Sequence, residues 1–346
     1  MTLGVSPEEI EWLGKMDLFC PAYLKFLSNY RLSPYELKRV DDDYEIKFSG
    51  LWIDVTLWET VCMAIVAELM GDEFRKEKDL SVDEVWTEGE RRLEEKIMKL
   101  KLYSEIKFTD FGTRRAYSRA WQEHVIQVLM AQIPNQLVGT SNLHLAMKYG
   151  IACNGTFAHA AYMGVFGLYR YLNNDDAVRL SLTLVWELWE REYGDKLTIL
   201  LADQYGDDFT FRTMPDALVK RWKGLRHDSG DPFAFGERVI DFYRSKGIDP
   251  KTKTIVFSDG LDVDTIIALW EKFHERIGVA FGWGTNLTND MGLPTLSIVV
   301  KLVESCGFGT VKLSNNLDKA TGSPEDIAYV VEKVKYTNTD REECRY

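Results

Sequence analysis

The segment that runs from Thr254 to Thr285 reads TIVFSDGLDVDTIIALWEKFHERIGVAFGWGT and gives the clearest indication of the fold. It begins with a short apolar strand, passes through a glycine-containing turn, and then carries apolar residues at helical spacing. Asp262 or Asp264 is expected to cap this helix, which should stop by Gly278. A second apolar strand follows at once. The segment therefore predicts two strands joined by a helix, the unit from which parallel sheets are built.

The same order of strand, turn and helix recurs from residue 106 onward. We predict eight strands, each followed by a polar or glycine-rich turn and a helix of roughly 12 to 18 residues. They are Ile106 to Phe111, Gln136 to Gly139, Ile151 to Gly155, Leu197 to Ala202, Gly224 to Arg226, Thr254 to Phe257, Val279 to Phe281 and Ser297 to Val303. Eight such units favour an α/β fold with an irregular (β/α) barrel, and an open doubly wound sheet is the alternative.

The N-terminal third has a different pattern, typical of an α+β domain. Short helices are predicted after Ser6, followed by a half-buried strand around Ile46, where apolar and polar residues alternate. A second extended run is expected from Trp52 to Leu57, and a helix from Trp58 to Met70. We therefore divide the chain into an α+β N-terminal domain (1–105), a barrel domain (106–336) and a polar tail (337–346).

Composition excludes several classes of protein. The 346 residues are 45% hydrophobic and include only 9 prolines, which argues for a large packed core and against disorder. The formal net charge of −12 disfavours broad binding to nucleic acid or anionic lipid. Five cysteines without a CxxC pair indicate neither a disulfide framework nor a zinc site, so a reducing cytoplasm is expected. Neither a targeting segment nor an apolar run of about 20 residues is visible, which predicts no membrane role.

Glycine-containing turns at the predicted strand ends are suited to binding phosphate. Catalytic groups of barrel enzymes gather at the carboxyl ends of the strands. Gly282, Gly284 and Thr285 could bring backbone N–H groups close to a phosphate, and Ser258 with Asp259 occupies the same position after another strand. An ordinary tight turn is the alternative for both.

Two further strand ends carry arginine. Arg114 and Arg115 could grip a carboxylate or a phosphate with paired hydrogen bonds, unless they are merely solvated. The run RHDSGD, residues 226–231, places a cation, two carboxylates and a glycine together, which suits a diphosphate carried by Mg²⁺. A helix cap at Asp228 or Ser229 is the alternative.

His159 lies in the turn that follows GT at residues 155–156. A neutral imidazole is a competent nucleophile toward a phosphoryl group, so His159 is a candidate phosphoryl acceptor. A buried structural histidine is the alternative. Among the other histidines only His227 belongs to a strand-end motif.

Six motifs, taken in order, resemble one enzyme family. The strings FGTRR, VGTSN, GTFAH, GLRHDSGDP, VFSDGLD and FGWGTNLT, at these separations, resemble the nicotinate phosphoribosyltransferases, which begin NAD salvage from nicotinate. The likeness runs from about Ser6 to Leu313. It implies a type II phosphoribosyltransferase with an irregular α/β barrel and an α+β domain, commonly a homodimer with its active sites at the subunit boundary.

The resemblance also implies an activity and a set of site residues. The enzyme would join nicotinate to 5-phosphoribosyl 1-diphosphate with Mg²⁺, coupled to ATP hydrolysis through a phosphohistidine at His159. Asp228 and Arg114 would act with it in catalysis, and Asp228 and Asp231 would hold Mg²⁺. Substrates would be contacted by Thr156, Arg226, Arg115, Ser141, Asn142, Ser258, Asp259, Gly282, Gly284 and Thr285.

Two features set this sequence apart from the family pattern. The usual N-terminal segment of roughly 50 to 70 residues, with its D-x-Y-K-type helix, is not found, so we expect the N-terminal domain to lack it. Ala160 follows the histidine where many bacterial relatives have an acidic residue. Transfer to nicotinamide or quinolinate therefore stays open as an alternative, as does an inactive truncated homologue that only binds ligands.

Overall fold

The structure is a computed structural model that describes residues 4–41, 43–296 and 298–337. Its N-terminal part contains α1 (Pro7–Lys15), α2 (Pro21–Asn29), β1 (Tyr35–Val40), β2 (Asp43–Phe48), α3 (Trp52–Val55), α4 (Trp58–Glu77) and α5 (Val82–Lys101). Reciprocal side-chain caps begin two of these helices: Ser6 with Glu9 at α1, and Ser81 with Glu84 at α5. Each pair satisfies backbone N–H groups that the first turn leaves free.

The structure corrects two predictions for the N-terminal part. β1 and β2 form an antiparallel hairpin, but every residue of β2 is exposed except the half-buried Phe48, so the strand predicted as half-buried lies on the surface. The run predicted as extended from Trp52 contains the short helix α3. The chain turns there because Leu51 O accepts hydrogen bonds from the N–H groups of Asp54 and Val55.

From residue 106 onward strands and helices alternate. The strands are β3 (Phe108–Asp110), β4 (Leu137–Thr140), β5 (Ile199–Leu201), β6 (Gly224–His227), β7 (Thr254–Phe257) and β8 (Gly278–Trp283), with a small hairpin of β9 (Glu304–Ser305) and β10 (Phe308–Gly309). The helices are α6 (Arg119–Gln132), α7 (Leu143–Tyr149), α8 (His159–Tyr171), α9 (Ala177–Tyr193), α10 (Asp207–Thr213), α11 (Asp216–Arg221), α12 (Pro232–Ser245), α13 (Val263–Phe273), α14 (Thr285–Thr288) and α15 (Pro324–Val334).

Six parallel strands form the central sheet, in the order β4-β3-β8-β7-β6-β5. The α/β class with an α+β N-terminal domain is confirmed, but two of the eight predicted strands are not strands. Ile151–Gly155 contributes one bridge, from Cys153 to Thr140, before the chain turns toward α8. Residues 298–303 are irregular, and Ser297 lies outside the described residues. Between β4 and β5 the described residues contain no hydrogen-bonded strand, so the sheet is not closed there.

Close strand packing and alternation position the side chains of β6. A Cβ on Gly224 would lie 1.8 Å from Thr254 O, so only glycine allows β6 to pair with β7 at this point. Successive side chains of a strand point to opposite faces, and here Leu225 and His227 are buried while Arg226 is half-buried at the strand end. Within the described ranges, no helix is long and apolar enough to cross a membrane.

Candidate active site

A cleft of about 980 Å³ opens at the carboxyl ends of four neighbouring strands. Its wall includes Phe111, Arg114 and Arg115 after β3, Arg226 and Asp228 at β6, Ser258 and Asp259 after β7, and Gly284 and Thr285 after β8. These are residues of the predicted strand-end motifs, brought together because parallel strands end at one edge of the sheet. The volume is at the upper end of the range typical of small-molecule sites, which suits more than one substrate.

Arg226 is the centre of the hydrogen-bond network on this wall. Its Nε donates to Ser258 Oγ (2.7 Å), its Nη1 donates to Thr156 Oγ1 (2.8 Å), and its Nη2 donates to Asp228 Oδ1. The guanidinium also lies over the Phe111 ring, 5.6 Å from its centroid. One cation, whose side chain is only 14% exposed, thus joins the ends of β6 and β7 to the turn at Thr156.

Asp228 connects this network to His159. Burial alone would raise the pKa of the Asp228 carboxyl, but the adjacent Arg226 guanidinium holds that pKa well below its ordinary value. Asp228 Oδ2 lies 3.9 Å from His159 Nδ1. The carboxylate therefore stands between the guanidinium and the imidazole and stays ionised at neutral pH.

His159 begins α8 and is nine-tenths buried. Its Nε2 is 2.8 Å from Asp203 Oδ1, a hydrogen bond in which the ring N–H donates to the ionised carboxylate. Burial, together with the nearby Lys312 ammonium, lowers the pKa of His159 to about 4. The ring is therefore neutral at pH 7. With its proton on Nε2, its lone pair is on Nδ1, the nitrogen that faces Asp228.

Asp203 was not singled out by the sequence analysis, although it follows β5 at the same edge of the sheet. Burial opposes its ionisation, but Lys312 and His159 together hold the pKa of the carboxyl well below its ordinary value. Ser229 Oγ donates to Asp203 Oδ2 at 2.7 Å, and Lys312 Nζ lies 3.5 Å from the same oxygen. Its position directly after a strand was the available signal.

Three lysines that no motif of the sequence marks also line the cleft. Lys301, Lys312 and Lys319 come from the irregular segment and the turns that follow β8. Burial, with Lys312 and Arg114 nearby, lowers the pKa of Lys301 to about 8. Lys319 Nζ pairs with Asp259 Oδ2 at 2.6 Å. No periodic pattern marks such a segment, so these cations could not be found from the sequence pattern.

The arginine pair also lies on the cleft wall. Arg114 pairs with Glu59 on α4, and Arg115 donates to Ile298 O, with 2.9 Å between Nη2 and that oxygen. Arg114 thereby ties the N-terminal part of the chain to the cleft. Both arginines therefore have protein partners, and 43% of the Arg114 side chain is exposed to solvent.

The residues of the predicted glycine turn, Gly282, Gly284 and Thr285, have two different roles. Gly284 and Thr285 line the cleft. Gly282 does not: it lies inside β8, where a Cβ would come within 2.4 Å of the Phe111 ring. Its lack of a side chain makes room for Phe111, and packing rather than substrate contact explains the glycine.

Several predicted residues lie away from the cleft wall. Asn142 caps α7, accepting from Leu145 N at 3.1 Å, and its neighbour Ser141 is exposed. His227 is buried against Phe235 and Phe257 on the opposite face from Arg226. The residue that caps α12 is Asp231, not Asp228 or Ser229.

The carboxylates allow a test of the predicted metal site. Asp228 and Asp231 both line the cleft, and Asp231 is exposed there while Oδ1 accepts from Phe233 N at 2.9 Å. Each residue keeps a carboxylate oxygen for a hard cation such as Mg²⁺. The ligand atoms of His159, Asp203 and Asp228 also lie within 4.8 Å of one another. Asp203 in that second group is already paired with Lys312, whereas Asp231 is exposed at the cleft; Asp228 belongs to both groups, and Arg226 compensates its charge in either.

Two family models match different parts of the chain. The sequence model of the nicotinate phosphoribosyltransferase (NAPRTase) family matches residues 106–339, and that of the family's N-terminal domain matches residues 1–67. The N-terminal domain of the family is therefore present, which corrects the expectation that the chain lacks the usual N-terminal segment.

Two solved structures are similar over nearly the whole chain. A nicotinate phosphoribosyltransferase from Porphyromonas gingivalis is 31% identical, with a TM-score of 0.87, and the match covers 96% of this chain and 85% of that one. One from Vibrio cholerae is 31% identical, with a TM-score of 0.87, over 97% of this chain and 81% of that one.

Proposed function

The chain belongs to the nicotinate phosphoribosyltransferase family, enzymes that join nicotinate to a phosphoribosyl group for NAD salvage, and we propose that it couples this transfer to ATP through His159. The single observation that carries the coupling is the state of His159. It is a neutral imidazole, held by Asp203 through one nitrogen, with its other nitrogen free of a proton.

We place the phosphoryl group on Nδ1 of His159. The Nδ1 lone pair would attack the γ-phosphorus of ATP, forming a P–N bond while the bond to the β–γ bridging oxygen breaks and ADP leaves. Asp203 would stabilise the positive charge that develops on the ring, as a buried carboxylate does for a histidine in other enzymes. Water would later cleave the P–N bond, releasing phosphate and regenerating the neutral ring.

Nicotinate would bind near Arg226 and Phe111. A guanidinium has five N–H donors, and within the described residues only three hydrogen bonds use them. The remaining donors would take the carboxylate of nicotinate, and the Phe111 ring offers an aromatic face beside it. Nicotinamide carries no charge and gains less from this contact.

The phosphoribosyl substrate would occupy the cationic part of the cleft. Arg114, Arg115, Lys301, Lys312 and Lys319 surround it, and the Gly284–Thr285 turn supplies backbone and hydroxyl donors. The pyridine nitrogen attacks the anomeric carbon, the bond to the diphosphate breaks, and no general base is required. Mg²⁺, held by Asp228 and Asp231, would neutralise charge on the departing diphosphate.

We also propose a homodimer. On one face of the N-terminal hairpin Tyr35, Leu37, Tyr44 and Ile46 are exposed apolar side chains. A second copy of the chain that covers this face would remove apolar surface from water. Leu37→Glu should then shift the mass measured by light scattering toward the monomer.

For the compartment we propose a reducing cytoplasm, because the four described cysteines are all unpaired.

Product analysis tests the whole proposal. The purified chain is incubated with Mg²⁺, ATP, phosphoribosyl diphosphate and one of three pyridines: nicotinate, nicotinamide or quinolinate. Nicotinate mononucleotide should form, with ADP released in step. His159→Asn should retain slow transfer but lose ATP coupling and acid-labile label from γ-labelled ATP. Label uptake by that variant would refute the role of His159, and product from another pyridine alone would refute the substrate assignment.

A further inference from the structure

Lys96 is a cation on the buried face of an otherwise amphipathic helix. The buried positions of α5 follow helical spacing, and Lys96 lies among them at 7% exposure. Burial lowers the pKa of its ammonium group, although Asp290 opposes this shift. A lysine at such a position costs free energy unless its contacts are specific.

Its contacts hold both ends of one short segment. Lys96 Nζ donates to Asn286 O at 2.5 Å and lies 2.8 Å from Asp290 Oδ2. It also lies over the ring of Trp283, the last residue of β8, at 5.9 Å from the centroid. The ammonium group thus contacts the start, the middle and the end of residues 283–290.

That segment is the one whose front faces the cleft. Gly284, Thr285 and Asn286 line the cleft wall, and Lys96, which is not among the described cleft residues, donates to Asn286 O. Gly284 has φ −105° and ψ −112°, outside the regular helix and strand regions, so the turn depends on its tethers for its shape.

We propose that Lys96 is a positioning residue that sets the shape of the 284–290 turn for the phosphate groups of the phosphoribosyl substrate. This inference rests on the proposed function. A side chain on α5, outside the described cleft lining, would therefore determine affinity for one substrate.

Kinetics with a matched control test the proposal. Lys96→Met removes the charge and keeps a long apolar side chain, and Lys101→Met makes the same change at an exposed position of α5. We expect Lys96→Met to raise KM for phosphoribosyl diphosphate by about tenfold and to leave KM for nicotinate within roughly twofold. Lys101→Met should change neither. Lys96→Arg keeps the charge and should recover part of the loss.

A purely structural role predicts a different pattern. Loss of folded enzyme lowers the apparent kcat and the midpoint of thermal unfolding but leaves both KM values unchanged, and that result would overturn the proposal. Equal rises in both KM values would overturn it too. If Lys96→Met does not fold, Asp290→Asn weakens the same tether, and calorimetric titration with phosphoribosyl diphosphate must show reduced affinity. Wild-type chain that neither forms product nor binds this diphosphate would instead reject the proposed function.

Discussion

Replacing Arg226 by alanine should affect binding and stability by separate amounts. The guanidinium bonds Ser258, Thr156 and Asp228 in a largely buried position. Removing one partner of a buried ion pair typically costs about 3–5 kcal/mol of unfolding free energy, because the remaining charge is left uncompensated. Loss of the contact to nicotinate should cost about 1.5–3 kcal/mol of binding, or roughly ten- to a hundredfold in affinity.

A double mutant separates the two effects. Asp228→Asn removes the charge that Arg226→Ala leaves unpaired, so the double variant should regain part of the lost unfolding free energy. Nicotinate affinity should not recover, because the cation is still absent. Chemical denaturation measures the first quantity and calorimetric titration with nicotinate the second, with phosphoribosyl diphosphate titrated in parallel.

Two results would refute this reasoning. Equal weakening of nicotinate and phosphoribosyl diphosphate by Arg226→Ala would mean that Arg226 does not select the carboxylate. Recovery of nicotinate affinity in the double variant would mean that repulsion by the unpaired Asp228 carboxylate, and not loss of the guanidinium contact, had weakened nicotinate binding. Arg226→Lys is the control for charge alone, since lysine keeps the charge but lacks the planar group that joins three partners.

Three further predictions concern buried groups. Burial lowers the pKa of His159 from 6.5 to about 4, so protonation of this residue opposes folding. The free energy of unfolding of the wild type should therefore fall as pH drops from 6.5 to 4, and that of His159→Asn should fall less. Urea denaturation at each pH measures both. Burial raises the pKa of Asp207 from 3.8 to about 7, so ionisation of this residue opposes folding. The free energy of unfolding should therefore fall as pH rises from 3.8 to 7. An Asp207→Asn variant whose free energy of unfolding changes with pH as steeply as that of the wild type would contradict this. A Cβ on Gly112 would lie 2.1 Å from Thr288 Oγ1, so Gly112→Ala should lower the free energy of unfolding by about 1–3 kcal/mol, whereas Gly155→Ala, with no atom within 4 Å of the added Cβ, is the control.

Local signals in the sequence were sufficient for most of the fold. The strand predicted at Thr254–Phe257 has the bounds of β7, and Asp262 caps α13, because strand alternation and side-chain caps depend on residues only a few positions apart. The same holds for the RHDSGD run, which puts Arg226 next to Asp228 wherever the strand ends. The missed elements, α3 and residues 298–303, have apolar composition but hydrogen bonds that the pattern does not reveal.

Tertiary structure decided which of the strand-end residues act together. Asp203 reaches His159 across 44 positions of sequence, and Lys96 reaches the 284–290 turn across 190. His227 and Arg226 are neighbours in sequence, yet alternation along β6 buries one and turns the other to the cleft. The sequence by itself determined which strand ends carry polar and charged side chains, because a strand end is a local feature. Which groups pair there depends on long-range packing, which brings together residues with no local pattern in common.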